Sequence, residues 1–151
     1  MIENILKEHY GLTLLKAEKS RIGAGSDTWF VQCREGGYVL KFPSEGEINH
    51  PEREPELCQF LLERGIPACR FLKNRQGSFL SFDDSGRLFH LQRFFEGKVY
   101  DLNKAPSWLL CQSAGLLGKI HKALKGYEGL PEGIGPGFFQ HMTPQRAAMS
   151  Y

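Results

Sequence analysis

Two neighbouring segments carry residue types suited to holding phosphate. Ile22-Gly23-Ala24-Gly25-Ser26-Asp27-Thr28 is glycine-rich. Without a Cβ, the backbone at Gly23 and Gly25 can approach a phosphate closely, and Ser26 adds a hydroxyl and an N–H donor. The fingerprint is incomplete, with Thr28 standing where a third glycine would fall. The next residues, Trp29-Phe30-Val31-Gln32-Cys33, are aromatic and β-favouring, which excludes the strand-to-helix turn of a dinucleotide-binding fold. The segment is therefore a loop between two strands, and taken alone it reads equally well as a plain hairpin turn. Tyr38-Val39-Leu40-Lys41-Phe42 then sets one lysine inside an otherwise apolar strand. Such a lysine is ordinarily a solvated side chain on an alternating strand. Here the loop and the lysine strand are antiparallel neighbours, so both can reach one triphosphate.

A lysine in that role needs a carboxylate to orient it. Glu54, three residues before Leu57 and seven before Leu61, is expected on the buried face of a helix. Glu56 shares a face with Phe60 and is its rival, and an acid in a first helical turn also complements the helix dipole with no further role. The elements that must position these groups are legible in the patterning. Ile2, Ile5 and Leu6 predict a short helix over residues 2–10, stopped by Gly11. Strands are expected over Leu12–Ile22, Thr28–Cys33 and Tyr38–Phe42, the last two flanking Glu35-Gly36-Gly37. A helix starts near Arg53, where Pro55 fits the first turn, and ends at Gly65 before Pro67. Ala68–Leu72 is a separate strand, and Ser78–Phe82 pairs with Arg87–Phe95 around Asp83-Asp84-Ser85-Gly86. Beyond Gly97 the strand pattern ceases, and residues 107–125 place Leu109, Leu110, Leu116, Leu117, Ile120 and Leu124 at helical spacing. The tail from Gly126 to Tyr151 is rich in Gly and Pro. The order predicts an α+β fold with an antiparallel sheet.

Composition narrows the partners. The chain has 151 residues, 41% hydrophobic, 24% charged and 12% aromatic, which excludes a disordered or low-complexity polymer. Nineteen basic against 17 acidic residues leave +2, too little for the basic stripe of a nucleic-acid binder. An RNA-stacking surface of Phe79, Phe82, Phe89 and Phe94 is weighed and ranked last, because an odd spacing keeps Phe89 and Phe94 off one face of a regular strand. No apolar run is long enough to span a bilayer, and the N-terminus lacks the layout of a signal peptide. Cys33, Cys58, Cys69 and Cys111 are scattered with no close pair, so reduced, mostly buried thiols in a cytoplasmic protein are expected.

Taken in order, Gly23-Ala24-Gly25-Ser26, Tyr38-Val39-Leu40-Lys41, Arg53-Glu54 with Leu57 and Leu61, Arg64-Gly65-Ile66-Pro67, Phe94-Phe95-Glu96-Gly97 and Leu117-Gly118-Lys119-Ile120-His121 resemble the aminoglycoside phosphotransferase and choline kinase-like superfamily of small-molecule kinases. The resemblance implies a protein kinase-like small lobe, an antiparallel sheet with a packed helix, followed by the first helices of an incomplete large lobe. Residues 1–97 would be the nucleotide-binding small lobe ending in a hinge, and residues 98–151 the linker and opening helices of the second lobe. By this likeness Lys41 would contact the phosphates of ATP, Glu54 would orient it, and Ser26 would cap the phosphate loop between Gly23 and Gly25. The backbones of Arg93 and Phe95 would read adenine, Ile22 and Val39 would enclose the ring, and His121 would pack or cap.

The family's catalytic His-Gly-Asp-type loop and its later metal-binding aspartate have no counterpart. None of His9, His50, His90, His121 and His141 is followed two positions later by an aspartate, and the only aspartates are Asp27, Asp83, Asp84 and Asp101. No catalytic or metal-ligating residue is assigned, and Mg²⁺ is expected only in a full-length enzyme. The reading is the ATP-binding part of a phosphotransferase acting on a hydroxyl of a small molecule such as an aminoglycoside, choline or homoserine, inactive by itself. The alternative is a non-catalytic nucleotide-binding module of the same fold. The apolar stripe of 107–125 is expected to self-associate through residues 105–151.

Overall fold

The computed structural model describes residues 1–20, 26–44 and 51–129. Five antiparallel strands, β1 (Leu14–Lys19), β2 (Asp27–Cys33), β3 (Gly36–Phe42), β4 (Ser81–Phe82) and β5 (Leu88–Arg93), form one sheet in the order β1-β2-β3-β5-β4. Among the described residues three α-helices accompany it, α1 (Ile2–Ile5), which continues into a π-helical turn over Leu6–Tyr10, α2 (Arg53–Glu63) and α3 (Ser107–Leu124), with a short 3-10 turn at Leu102–Lys104. The architecture is α+β, as the patterning predicts.

One face of the sheet is the core. Val31 and Cys33 of β2, Tyr38, Leu40 and Phe42 of β3, and Phe89 and Leu91 of β5 alternate onto it, because successive side chains of a strand point to opposite faces. Ile5 and Leu6 close this core from the first helix, followed by Leu12. The closing turn works because Gly11 adopts φ 69°, so its N–H and that of Leu12 reach back to the carbonyls of Lys7 and Leu6. A Cβ there would be strained and would lie 2.8 Å from the Arg75 guanidinium.

Several boundaries differ from expectation. β1 is shorter than Leu12–Ile22, and a bulge between Leu14 and Lys16 turns Leu15 outward. The β2–β3 turn is Arg34-Glu35, with Gly36 and Gly37 already in the ladder opposite Cys33 and Gln32. The expected strand at Ala68–Leu72 is reduced to a bridge between Phe71 and Gln92, held by the Leu72 N–H to Leu91 carbonyl and Arg93 N–H to Arg70 carbonyl bonds. The Asn74 side chain accepts from the Gln76 and Ser78 N–H groups and donates to Leu80 and Ser81, which folds the 74–78 loop and leaves β4 only two residues long.

No residue of α3 is buried. Trp108, Leu110 and Leu117 are each more than half exposed. The thiols also depart from expectation: Cys33 is buried and Cys58 half-buried, while Cys69 and Cys111 are exposed, the latter because it rides on the uncovered α3. Phe89 lies in the core and Phe79 stacks on Phe71, so the four phenylalanines of the RNA-stacking reading share no surface. No helix among the described residues is long and apolar enough to cross a membrane.

Candidate functional site

Opposite the core, the ladder registers arrange the second face of the sheet in rows. Thr28 on β2 stands across from Lys41 on β3, and Lys41 across from His90 on β5. The next row runs Glu18, Phe30, Val39, Gln92 and, through the bridge, Phe71. Beyond it come Lys16, Gln32 and Gly37, with Phe94 bonded by its N–H to the Gly37 carbonyl. Period-two alternation accounts for the whole arrangement: once Tyr38, Leu40 and Phe42 are committed to the core, Val39 and Lys41 must face the other way. Val39 and Lys41 are half-buried. Ser26 immediately precedes β2, which places it at the Lys41 end of this face. Ile22, Gly23 and Gly25 lie outside the described residues.

Phe94 and Phe30 meet edge to face, 5.8 Å between ring centroids. Together with Lys16, Glu18, Gln32 and Gly37 they line a concave site of about 430 Å³ on this face. That volume is in the range of small-molecule pockets. Lys16 and Glu18 form an exposed ion pair across its rim, 2.6 Å apart. At the end of β5 the chain leaves the ladder, and the Phe95 N–H donates to no described residue.

His90 is 1% exposed and stacks edge to face on Phe71, 4.9 Å away. Burial, reinforced by the Lys41 charge across the ladder, pushes its pKa down from 6.5 to about 4, so the ring is neutral at pH 7. Its Nε2 lies 3.2 Å from the Gln92 amide nitrogen.

Glu54 and Lys41 are not brought together. Glu54 and its rival Glu56 both sit in the exposed first turn of α2, and neither is among the ion pairs formed by the described residues. The residues that α2 buries are Pro55 and Leu61. Glu54 does share an azimuth with Leu61, but a residue in an end turn is covered only if a neighbour reaches past the helix terminus. Arg93 turns its side chain toward the opposite face, where it donates to the Tyr38 hydroxyl and leaves its backbone as the part available to a ligand. His121 is exposed on α3.

Asp27, His90 and Gln92 escape the sequence reading. Asp27 follows the glycine segment directly, and its carboxylate lies 2.9 Å from the Lys19 ammonium and 3.5 Å from the Arg87 guanidinium. The Lys19 hydrogen bond is the main cause that holds its pKa below 3.8. The trio ties the end of β1, the start of β2 and the β4–β5 turn together at the mouth of the 20–26 connection. An opposite-charge pair flanking a glycine loop is the signal that points to it. Among the described residues no group of three or more His, Cys, Asp or Glu is placed to hold a metal ion.

Residues 17–148 match the family model of the phosphotransferase enzyme family, which is most of the chain. The chain belongs to the phosphotransferase enzyme family. No curated protein matches it in sequence. Among solved structures it is similar to an amicoumacin kinase in complex with AMP-PNP, Ca²⁺ and amicoumacin, at 13% identity and TM-score 0.68, over 99% of this chain and 49% of that one. It is also similar to a spectinomycin phosphotransferase in complex with ADP and spectinomycin, at 15% identity and TM-score 0.55, over 64% of this chain and 29% of that one. The fold is thus the protein kinase-like fold of these phosphotransferases, and the chain spans at most about half the length of either.

Proposed function

We propose that this chain is the nucleotide-binding part of a kinase that transfers the γ-phosphate of ATP to a hydroxyl of a small molecule. The observation that carries the reading is the row Thr28–Lys41–His90, which sets one cation on the face opposite the core, at the end of the sheet from which the glycine segment departs. Lys41 would neutralise phosphate charge, with Ser26 and the backbone of Gly23 and Gly25 donating to phosphate oxygens. Ile22 and Val39 would enclose the base, while the Arg93 carbonyl and the Phe95 N–H would read its edge. Glu54 would orient Lys41, a contact absent from the ion pairs of the described residues. ATP supplies the phosphoryl group, and Mg²⁺ would be held by residues outside this set. The nucleotides bound by the two similar kinases support an adenine nucleotide. The acceptor is a hydroxyl-bearing small molecule of the aminoglycoside, choline or homoserine kind.

Calorimetric titration of the purified chain with ATP tests this. A phosphate contact from a charged lysine contributes about 1.5–3 kcal/mol, so Lys41→Ala should weaken binding roughly 10–100-fold. Unchanged affinity in that variant would remove Lys41 from the site and the reading with it.

A further inference from the structure

Helix α2 is covered by little of the chain, since the residues it buries are Pro55 and Leu61 alone. Its C-terminus turns back through Gly65, at φ 69°, and the Ile66 N–H closes the reversal on the Leu61 carbonyl at 3.0 Å. Cys58 stands three residues before Leu61 and Cys69 three residues after Ile66. The two limbs of the reversal therefore carry one thiol each, at matching steps from its base. The Cys58 sulfur lies within hydrogen-bond reach of the Cys69 backbone. Just beyond Cys69 the chain is fixed to β5, by the Arg93 N–H on the Arg70 carbonyl and the Leu72 N–H on the Leu91 carbonyl, each 2.8 Å. A half-buried thiol on the helix thus meets an exposed one on the segment anchored to the sheet. Cys69 also lines an open hollow of about 560 Å³ with Leu62, Pro67 and Phe95, so solutes reach its sulfur.

We propose that Cys58 and Cys69 form a reversible disulfide, a redox-modification site that ties α2 to the segment bonded to β5. The oxidant is a small disulfide of the glutathione class. The exposed Cys69, as thiolate, attacks it, forms a mixed disulfide and expels one glutathione thiolate. Cys58 then gives up its proton and attacks the Cys69 sulfur, expelling the second glutathione thiolate. Two protein thiols are oxidised and one glutathione disulfide is reduced, and the two expelled thiolates take up the two protons released. Burial, with the nearby Cys69 and Glu54 charges as lesser causes, pushes the Cys58 thiol up to about 11. It is therefore protonated at pH 7, and the exposed Cys69 reacts first. Closing the loop from 58 to 69 removes chain entropy from the unfolded state. It also adds a fixed link to a helix that has little packing of its own.

The test uses the full chain carrying Cys111→Ser, which removes the exposed thiol of α3 from competition. The protein is equilibrated with reduced and oxidised glutathione, free thiols are alkylated, and the products are mapped by mass spectrometry. The expected product has Cys58 and Cys69 joined within one chain and Cys33 unlinked. Its melting temperature should rise by roughly 5–10 °C, and dithiothreitol should reverse the rise. Neither Cys58→Ser nor Cys69→Ser should show any oxidation-dependent rise. Should Cys58→Ser lower the melting of the reduced chain, Cys69→Ser, at an exposed position, carries the comparison alone. A glutathione adduct at Cys69 that Cys58 fails to displace would overturn the proposal, as would a Cys69 link between two chains or no bond at any glutathione ratio. A Cys58–Cys69 bond that leaves the melting temperature unchanged or lowers it would also overturn it, because no tie on α2 would then exist.

Discussion

Lys41 and His90 face each other across β3 and β5, and the charge on one helps set the protonation of the other. A histidine whose folded pKa is about 4 against 6.5 in its ordinary state binds its proton more readily when unfolded. Its contribution to stability is therefore complete above pH 6.5 and is lost progressively as pH falls toward 4, on the order of 3 kcal/mol over the window. Thermal unfolding at pH 7 and at pH 4.5 should show that loss, and His90→Gln, which cannot titrate, should show a markedly smaller one. An identical pH dependence in the variant would mean that His90 is not the titrating group. Lys41 was legible in the sequence because a charge inside an apolar strand stands out against its neighbours. His90 was not legible, because its environment is created by a strand almost fifty residues away whose register no local pattern reveals. The carboxylate assignment shows the converse: the spacing of Glu54 from Leu57 and Leu61 is read correctly as an azimuth, yet azimuth does not bury a residue in an end turn.

At the scale of elements, the sheet and its closing helix follow directly from alternation and turn chemistry. Tyr38, Leu40 and Phe42 alternate onto the core face, as period-two geometry requires. The bulge at Leu15 and the collapse of the Ala68–Leu72 strand to a bridge were not legible, since both depend on which strand lies alongside. Helix α3 is correctly located by its periodicity, but its leucines are not covered by the sheet that precedes them. Covering an apolar side chain is worth about 1.5–3 kcal/mol, so several left in contact with water favour association. The expected result of sedimentation at micromolar concentration is a dimer or larger species. Replacing Leu110 and Leu117 with Glu should shift it to monomer without altering the unfolding of the sheet. A chain that is monomeric before substitution would contradict the expectation.

For the molecule as a whole, the chain has the phosphotransferase family's fold and covers 49% of the amicoumacin kinase it resembles. Phosphoryl transfer needs a base for the acceptor hydroxyl and ligands for a metal ion, and the resemblance drawn from the sequence leads us to expect neither role among its four aspartates. The chain alone should therefore consume no ATP above background in the presence of Mg²⁺ and an aminoglycoside or choline. Metal-dependent turnover abolished by Lys41→Met would show that it holds a complete active site. The central claim is narrower, that ATP is bound on the Lys41 face of the sheet. Amide chemical shifts recorded during an ATP titration test it most directly. The account predicts saturable shifts at Ser26, Thr28, Val39, Lys41, Gln92 and Phe95, and their loss in Lys41→Ala. Shifts confined to the α1 side of the sheet or to α3, or none at millimolar ATP, would contradict it.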